Sequence, residues 1–191
     1  MKLSYNWLKQ FVDIKLTPEE LGDKLTMLGF EIEHLERVGE NLDTVVIGEI
    51  KKIDKHPDAD KLQVTVTDVG KENGGELTIV CGAPNIEVGQ KVPVALIGTV
   101  LEMNGEKFEI KQSKIRGVES VGMLCAEDEL GIGEDHTGIM ILDNDVKVGE
   151  KLKDALGLND AIYEFDVPAN RGDVWSHLGM AREVAAVENV K

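Results

Sequence analysis

The chain has 191 residues, with 21 basic against 36 acidic side chains and a formal charge of −15. Apolar residues make up 42%, enough for a sizeable core, and no run approaches the ~20 apolar residues needed to cross a bilayer, so a soluble, globular chain with no membrane partner is expected. The acidic excess counts against general nucleic-acid affinity, which draws on counterions displaced by Lys and Arg.

That charge is unevenly spread: residues 1–40 carry 5 basic and 8 acidic groups, residues 41–150 carry 11 and 21, and residues 151–191 carry 5 and 7. Any RNA contact must therefore be local. The opening Met1-Lys2-Leu3-Ser4 has no charged head followed by an apolar run, so no secretory signal is expected. Cys81 and Cys125 are far apart and lack a CxxC partner, which predicts neither a disulfide framework nor a zinc knuckle, and a reducing, cytoplasmic location.

In chain order, Leu3, Trp7, Phe11 and Leu8, Val12 recur at helical spacing behind Ser4 as a possible N-cap. A second helix begins at Thr17, with Pro18 in its first turn and Glu20 completing a capping box. Leu21, Leu25 and Leu28 make its buried stripe, Gly29 ends it, and Phe30-Glu31-Ile32-Glu33 alternates as a strand. From Val45 the period becomes 2. Leu62–Thr67, Leu77–Cys81 and Val92–Leu96 read as strands, and Leu101–Met103 and Phe108–Ile110 flank Asn104-Gly105 as a hairpin, with Phe108 facing the core. Gly122–Cys125 and Gly138–Leu142 add two short strands. This pattern suits a closed antiparallel barrel or a sandwich, a five-stranded Greek-key barrel fitting the length. After Gly149 the pattern turns helical again: Leu152, Ala155 and Leu156 precede Gly157, Tyr163–Val167 alternates, and a last helix capped by Asp173 or Ser176 carries Leu178, Ala181, Ala185 and Glu188 on one stripe. Neither flank of about 40 residues buries a core alone. The expected fold class is therefore α+β and multidomain, with a barrel over 41–150 inserted into a small split helical domain made of 1–40 and 151–191.

No catalytic constellation is present: there is no P-loop, GxGxxG, HExxH or GxSxG, and Ser176 and His177 face different ways on a helix. In Lys55-His56-Pro57-Asp58-Ala59-Asp60-Lys61, the residues His56, Asp58 and Asp60 read as an exposed Asx-bonded turn rather than as metal ligands, leaving Lys55 and Lys61 as candidates for phosphate contact. Cys81 reads as a buried thiol, because no base is placed to activate it. Asn85 can offer its amide to a base edge or close its own turn. Lys111–Ser120 gathers three cations on an acidic barrel; Lys114 and Arg116 suit phosphate, and Ser120 is a small donor and acceptor, with a solvated strand face as the alternative. No aromatic stacking platform accompanies them. Asn170-Arg171-Gly172-Asp173 reads as a structural loop, Arg171 answering a carboxylate.

These segments resemble a known family. Met1–Lys9, Thr26–Glu33, Asn170–Asp173 and Ser176–Glu183 look like the amino-terminal region of bacterial phenylalanine-tRNA ligase β subunits. His56–Leu62, Val80–Asn85 and Ile115–Cys125 resemble the EMAP II-like tRNA-binding domain carried by that family and others. The resemblance implies a split helical domain around an OB-fold that binds tRNA, through Lys114, Arg116 and Ser120 with Lys55, Lys61 and Asn85 behind them. It also implies an aminoacyl-tRNA synthetase of α2β2 composition in which the α subunit carries the ATP- and Mg2+-dependent chemistry, so that this stretch has no catalytic residue, no metal and no cofactor of its own. Val174-Trp175 stands where the family often has Cys-Leu. Two other readings remain open: a module serving mainly assembly of the tetramer, and a stand-alone tRNA-binding protein.

Overall fold

The computed structural model describes residues 1–103 and 106–188. They form two compact units, one made of residues 1–39 with 158–191, the other of residues 40–157. In chain order the first part contains β1 (Lys2–Ser4), α1 (Tyr5–Leu8), α2 (Pro18–Met27) and β2 (Glu31–Val38). The middle contains β3 (Val45–Lys55), β4 (Gln63–Asp68), β5 (Glu76–Cys81), β6 (Lys91–Ala95), β7 (Val100–Met103), β8 (Glu106–Glu109), β9 (Ser113–Ile115), β10 (Val118–Ser120), β11 (Met123–Leu124), α3 (Glu127–Leu130) and α4 (Leu152–Ala155). The last part adds β12 (Asp160–Asp166) and α5 (His177–Glu188).

The discontinuous unit is not helical throughout. Its centre is an antiparallel sheet ordered β1-β12-β2, because alternation in 31–38 and 160–166 puts Ile32, Ala161, Tyr163 and Phe165 on a face that packs with the helices. The helix expected from Leu3 to Val12 shrinks to four residues. Leu3 pairs with Tyr163 in the sheet, and this tertiary pairing overrides a marginal local helix. Ser4 still caps α1, its Oγ accepting from the Trp7 N–H at 3.0 Å, but Trp7 and Phe11 end up exposed. In α2 the Thr17–Glu20 capping box forms. The N-cap of α5 is Ser176, whose Oγ accepts from the Gly179 N–H at 3.0 Å. The buried face of α5 is Gly179, Met180, Ala181 and Val184; of the expected stripe Ala181 is buried and Ala185 packs against the core, while Leu178 is exposed.

The continuous unit is built on a five-stranded antiparallel sheet ordered β11-β6-β3-β4-β5, and its two ends nearly close. Val121 N–H donates to the Thr78 carbonyl at 2.9 Å, and Val80 N–H donates to Ser120 Oγ at 3.1 Å, so the chain around β10 and β11 bridges back to β5. Ile50, Val69, Ile79, Val92 and Val94 fill the interior, each contributing ~1.5–3 kcal/mol by burial. Gly48 lies where a Cβ would come within 2.6 Å of Val94 and 2.7 Å of Thr67, so the strand has no room for a side chain there. The segment expected as a strand over Gly138–Leu142 forms only a single bridge, Leu142 to Lys91. β7 and β8 pair as a separate two-stranded ribbon; the expected Asn104-Gly105 turn lies outside the described residues. All four residues of β8 are exposed, Phe108 at 51% rather than in the core.

Candidate nucleic-acid interface

β9 and β10 form a hairpin in the register Ile115 to Val118, with Arg116 and Gly117 as its two-residue loop. Both loop residues have positive φ, 44° and 94°, as a type I′ turn demands. This turn carries the Arg116 side chain at an exposed tip and leaves Lys114 exposed on the preceding strand. Glu119 lies opposite Lys114 in the register, but its carboxylate accepts from the Gln112 amide, and Lys111 is paired with Glu109 at 2.8 Å. Among the described residues, neither Lys114 nor Arg116 has a carboxylate within ion-pair distance. The same holds for Lys55 and Lys61, both exposed.

His56 ties the loop carrying those two lysines to the hairpin. It is buried, not exposed in a turn as the sequence suggests, with 5% of its surface accessible. Nδ1 accepts from the Asp58 N–H at 3.1 Å, so the ring proton sits on Nε2 and donates to the Ile115 carbonyl at 3.0 Å. That carbonyl belongs to the residue between Lys114 and Arg116. The bond ties the loop carrying Lys55 and Lys61 to the hairpin carrying Lys114 and Arg116, and the Asp58 carboxylate lies 3.8 Å from where a Cβ on Gly117 would sit.

Two of the expected contact residues are spent on structure. Ser120 is 2% exposed; its Oγ accepts from Val80 N–H and donates to the Gly122 carbonyl at 3.2 Å, so it closes the barrel. Asn85 Nδ2 donates to the Ile139 carbonyl at 2.9 Å and its Oδ1 accepts from the Ile139 N–H at 3.0 Å. A Cβ on Gly138 would lie 2.3 Å from that Oδ1, so glycine there lets the clamp close. The Asn85 amide thus pins Ile139, and the next residue, Met140, donates its N–H to the Cys125 carbonyl at 2.9 Å.

Beside the hairpin runs a cleft of about 450 Å3 whose lining includes Leu62, Cys81, Ala83, Ile115, Met123, Glu129 and Thr137. Cys81 and Cys125 are unbridged and buried, and burial pushes both thiols above the ordinary cysteine range, so neither is an activated nucleophile. Among the described residues, no group of three or more His, Cys, Asp and Glu side chains is placed to hold a metal.

In the discontinuous unit Arg171 forks onto Asp173 at 3.0 and 2.9 Å, bonds Glu183 at 2.8 Å and lies 5.1 Å over the Phe30 ring. It is an internal brace. His177 stacks on Trp7 with ring centroids 3.9 Å apart and accepts the Ser4 N–H on Nε2 at 3.0 Å. Burial lowers its pKa against the opposing pull of Asp160, which suits a neutral acceptor.

His56, Ile115 and Gly117 fall within the segments that carry the family resemblance, but the sequence assigns none of them a contact or positioning role. The available signal was an x-Gly pair between two short alternating runs, which is hairpin chemistry; the His56 bond to Ile115 joins segments far apart in the chain and has no local signature.

A nearly closed antiparallel barrel with a cationic hairpin at its rim is the architecture of a binding module. Residues 45–151 match the family described as "Putative tRNA binding domain", and the chain belongs to that family. It is 49% identical over its full length to the phenylalanine–tRNA ligase β subunit of Fusobacterium nucleatum and 48% identical over 98% of its length to that of Syntrophotalea carbinolica. It spans 23% and 22% of those two relatives. Among solved structures, the MetRS-related protein of Pyrococcus horikoshii is similar at 22% identity, with a TM-score of 0.41, over 73% of this chain and 99% of that one.

Proposed function

We propose that this chain is the noncatalytic amino-terminal region of a phenylalanine-tRNA ligase β subunit, and that residues 41–150 are an OB-fold that contacts tRNA, inserted between the halves 1–40 and 151–191 of a split domain. The carrying observation is the set of four cations without ion-paired carboxylates, Lys55, Lys61, Lys114 and Arg116, on the two segments that the His56 bond ties together within a tRNA-binding family fold. Lys supplies mobile charge and Arg a planar fork, both suited to phosphate oxygens. Ser120 and Asn85 support this surface without touching RNA. The α subunit of the ligase would be the partner in a heterotetramer, and ATP and Mg2+ would serve chemistry outside these residues, in the cytoplasm.

A titration of tRNA against the chain at low salt tests the reading. Lys114→Ala and Arg116→Ala should each weaken binding roughly threefold to tenfold, since each removes about one released counterion. Indifference to both changes rejects this surface. A second reading, a module serving mainly assembly, is favoured by Trp7, Trp175 and Leu178, which are 50%, 60% and 50% exposed in the discontinuous unit. No tRNA binding at low salt would select it.

A further inference from the structure

An RNA-binding barrel without an aromatic platform must hold bases some other way, or read phosphates alone. Apolar surface and cations without ion pairs meet at the cleft beside the hairpin. Leu62 in its wall follows Lys61, and Ile115 in its wall precedes Arg116, while Lys114, its neighbour along β9, faces the other side beside Gln112 and Glu119. Its volume, about 450 Å3, lies within the range of clefts that bury small ligands, about 300–1,000 Å3. Pro84 and Ala83 offer flat apolar contact, and the Met123 thioether is polarisable and packs well on π-faces. Glu129 also lines the cleft and disfavours a phosphate inside it. Charge complementarity therefore orients a single-stranded nucleotide one way only, with phosphates on the bordering cations and the base inward.

We infer that this cleft is a nucleobase-binding site, taking one unstacked base of an unpaired RNA segment while Lys61 and Arg116 hold the flanking phosphates. The inference rests on the tRNA-contact reading above. It explains how a barrel whose exposed Phe108 stands on a separate ribbon engages bases, through aliphatic and thioether contacts in place of ring stacking. Because every base presents a π-face, such a site is tolerant of sequence.

The test measures binding of the 191-residue chain to a uridine RNA octamer and to an abasic ribose-phosphate octamer of the same charge, by fluorescence anisotropy at low salt. The native chain should bind the uridine octamer about tenfold more tightly, a difference in keeping with loss of base contacts. Ala83→Leu should fill the cleft and erase that difference while leaving the abasic affinity unchanged. Thr137→Leu, another lining position, should do the same, and covers the case in which Ala83→Leu does not fold. Equal affinity of the native chain for both octamers overturns the base site and leaves the phosphate surface standing. Discrimination that survives in both folded variants also overturns it. Binding to neither octamer overturns the base site together with the RNA reading beneath it.

Discussion

Arg116 occupies a backbone conformation that side chains other than those of Gly, Asn and Asp seldom adopt, with φ 44° in a two-residue hairpin loop. Left-handed backbone costs an ordinary L-residue on the order of 1–2 kcal/mol, and Asn less. The position thus trades stability for a guanidinium at the tip of the hairpin. Arg116→Asn should raise stability by about 0.5–1 kcal/mol in urea unfolding while weakening tRNA binding; a variant that is less stable, or binds tRNA as tightly, contradicts this account of the tip. The charges at Lys114 and Arg116 were legible in the sequence, because unpaired cations on an acidic chain stand out. The fate of Ser120 and Asn85 was not. A hydroxyl or an amide serves a ligand or a neighbouring backbone equally well, and only the positions of Val80 and Ile139 decide it.

At the level of elements, the strands of the barrel follow from period-2 alternation, and β4, β5 and β6 fall within a residue or so of where the pattern places them. Alternation says less about which faces are covered. Phe108 alternates like a core residue, yet all of β8 is exposed, while its partner β7 buries Leu101. Likewise the apolar spacing from Leu3 to Val12 fits a helix until the pairing of Leu3 with Tyr163 claims its first turn. Closure of the barrel depends on a side chain rather than on a ladder alone, since Ser120 Oγ accepts the Val80 N–H. Ser120→Ala should cost about 1 kcal/mol by removing the acceptor of that half-buried N–H. Faster hydrogen exchange at Val80 and Val121 is expected with it, and unchanged exchange would show that the two ends of the sheet hold together without the hydroxyl.

For the whole molecule, the decisive tension is between a formal charge of −15 and a role in binding RNA. The proposed contact surface answers it by location: acidic groups such as Glu19, Glu49, Asp54 and Glu109 are engaged in ion pairs with nearby cations, while among the described residues Lys55, Lys61, Lys114 and Arg116 have no such partner and lie on two segments tied together by His56. The long-range repulsion that remains keeps affinity modest and makes ionic strength the natural probe. The most direct measurement is the tRNA association constant of the chain as a function of salt. Four phosphate contacts predict a log–log slope of about −3, falling by about 1 in Lys114→Ala and again in the double variant with Arg116→Ala. A slope near zero, or one that neither substitution changes, would contradict the claim that this cluster is the RNA-contacting surface.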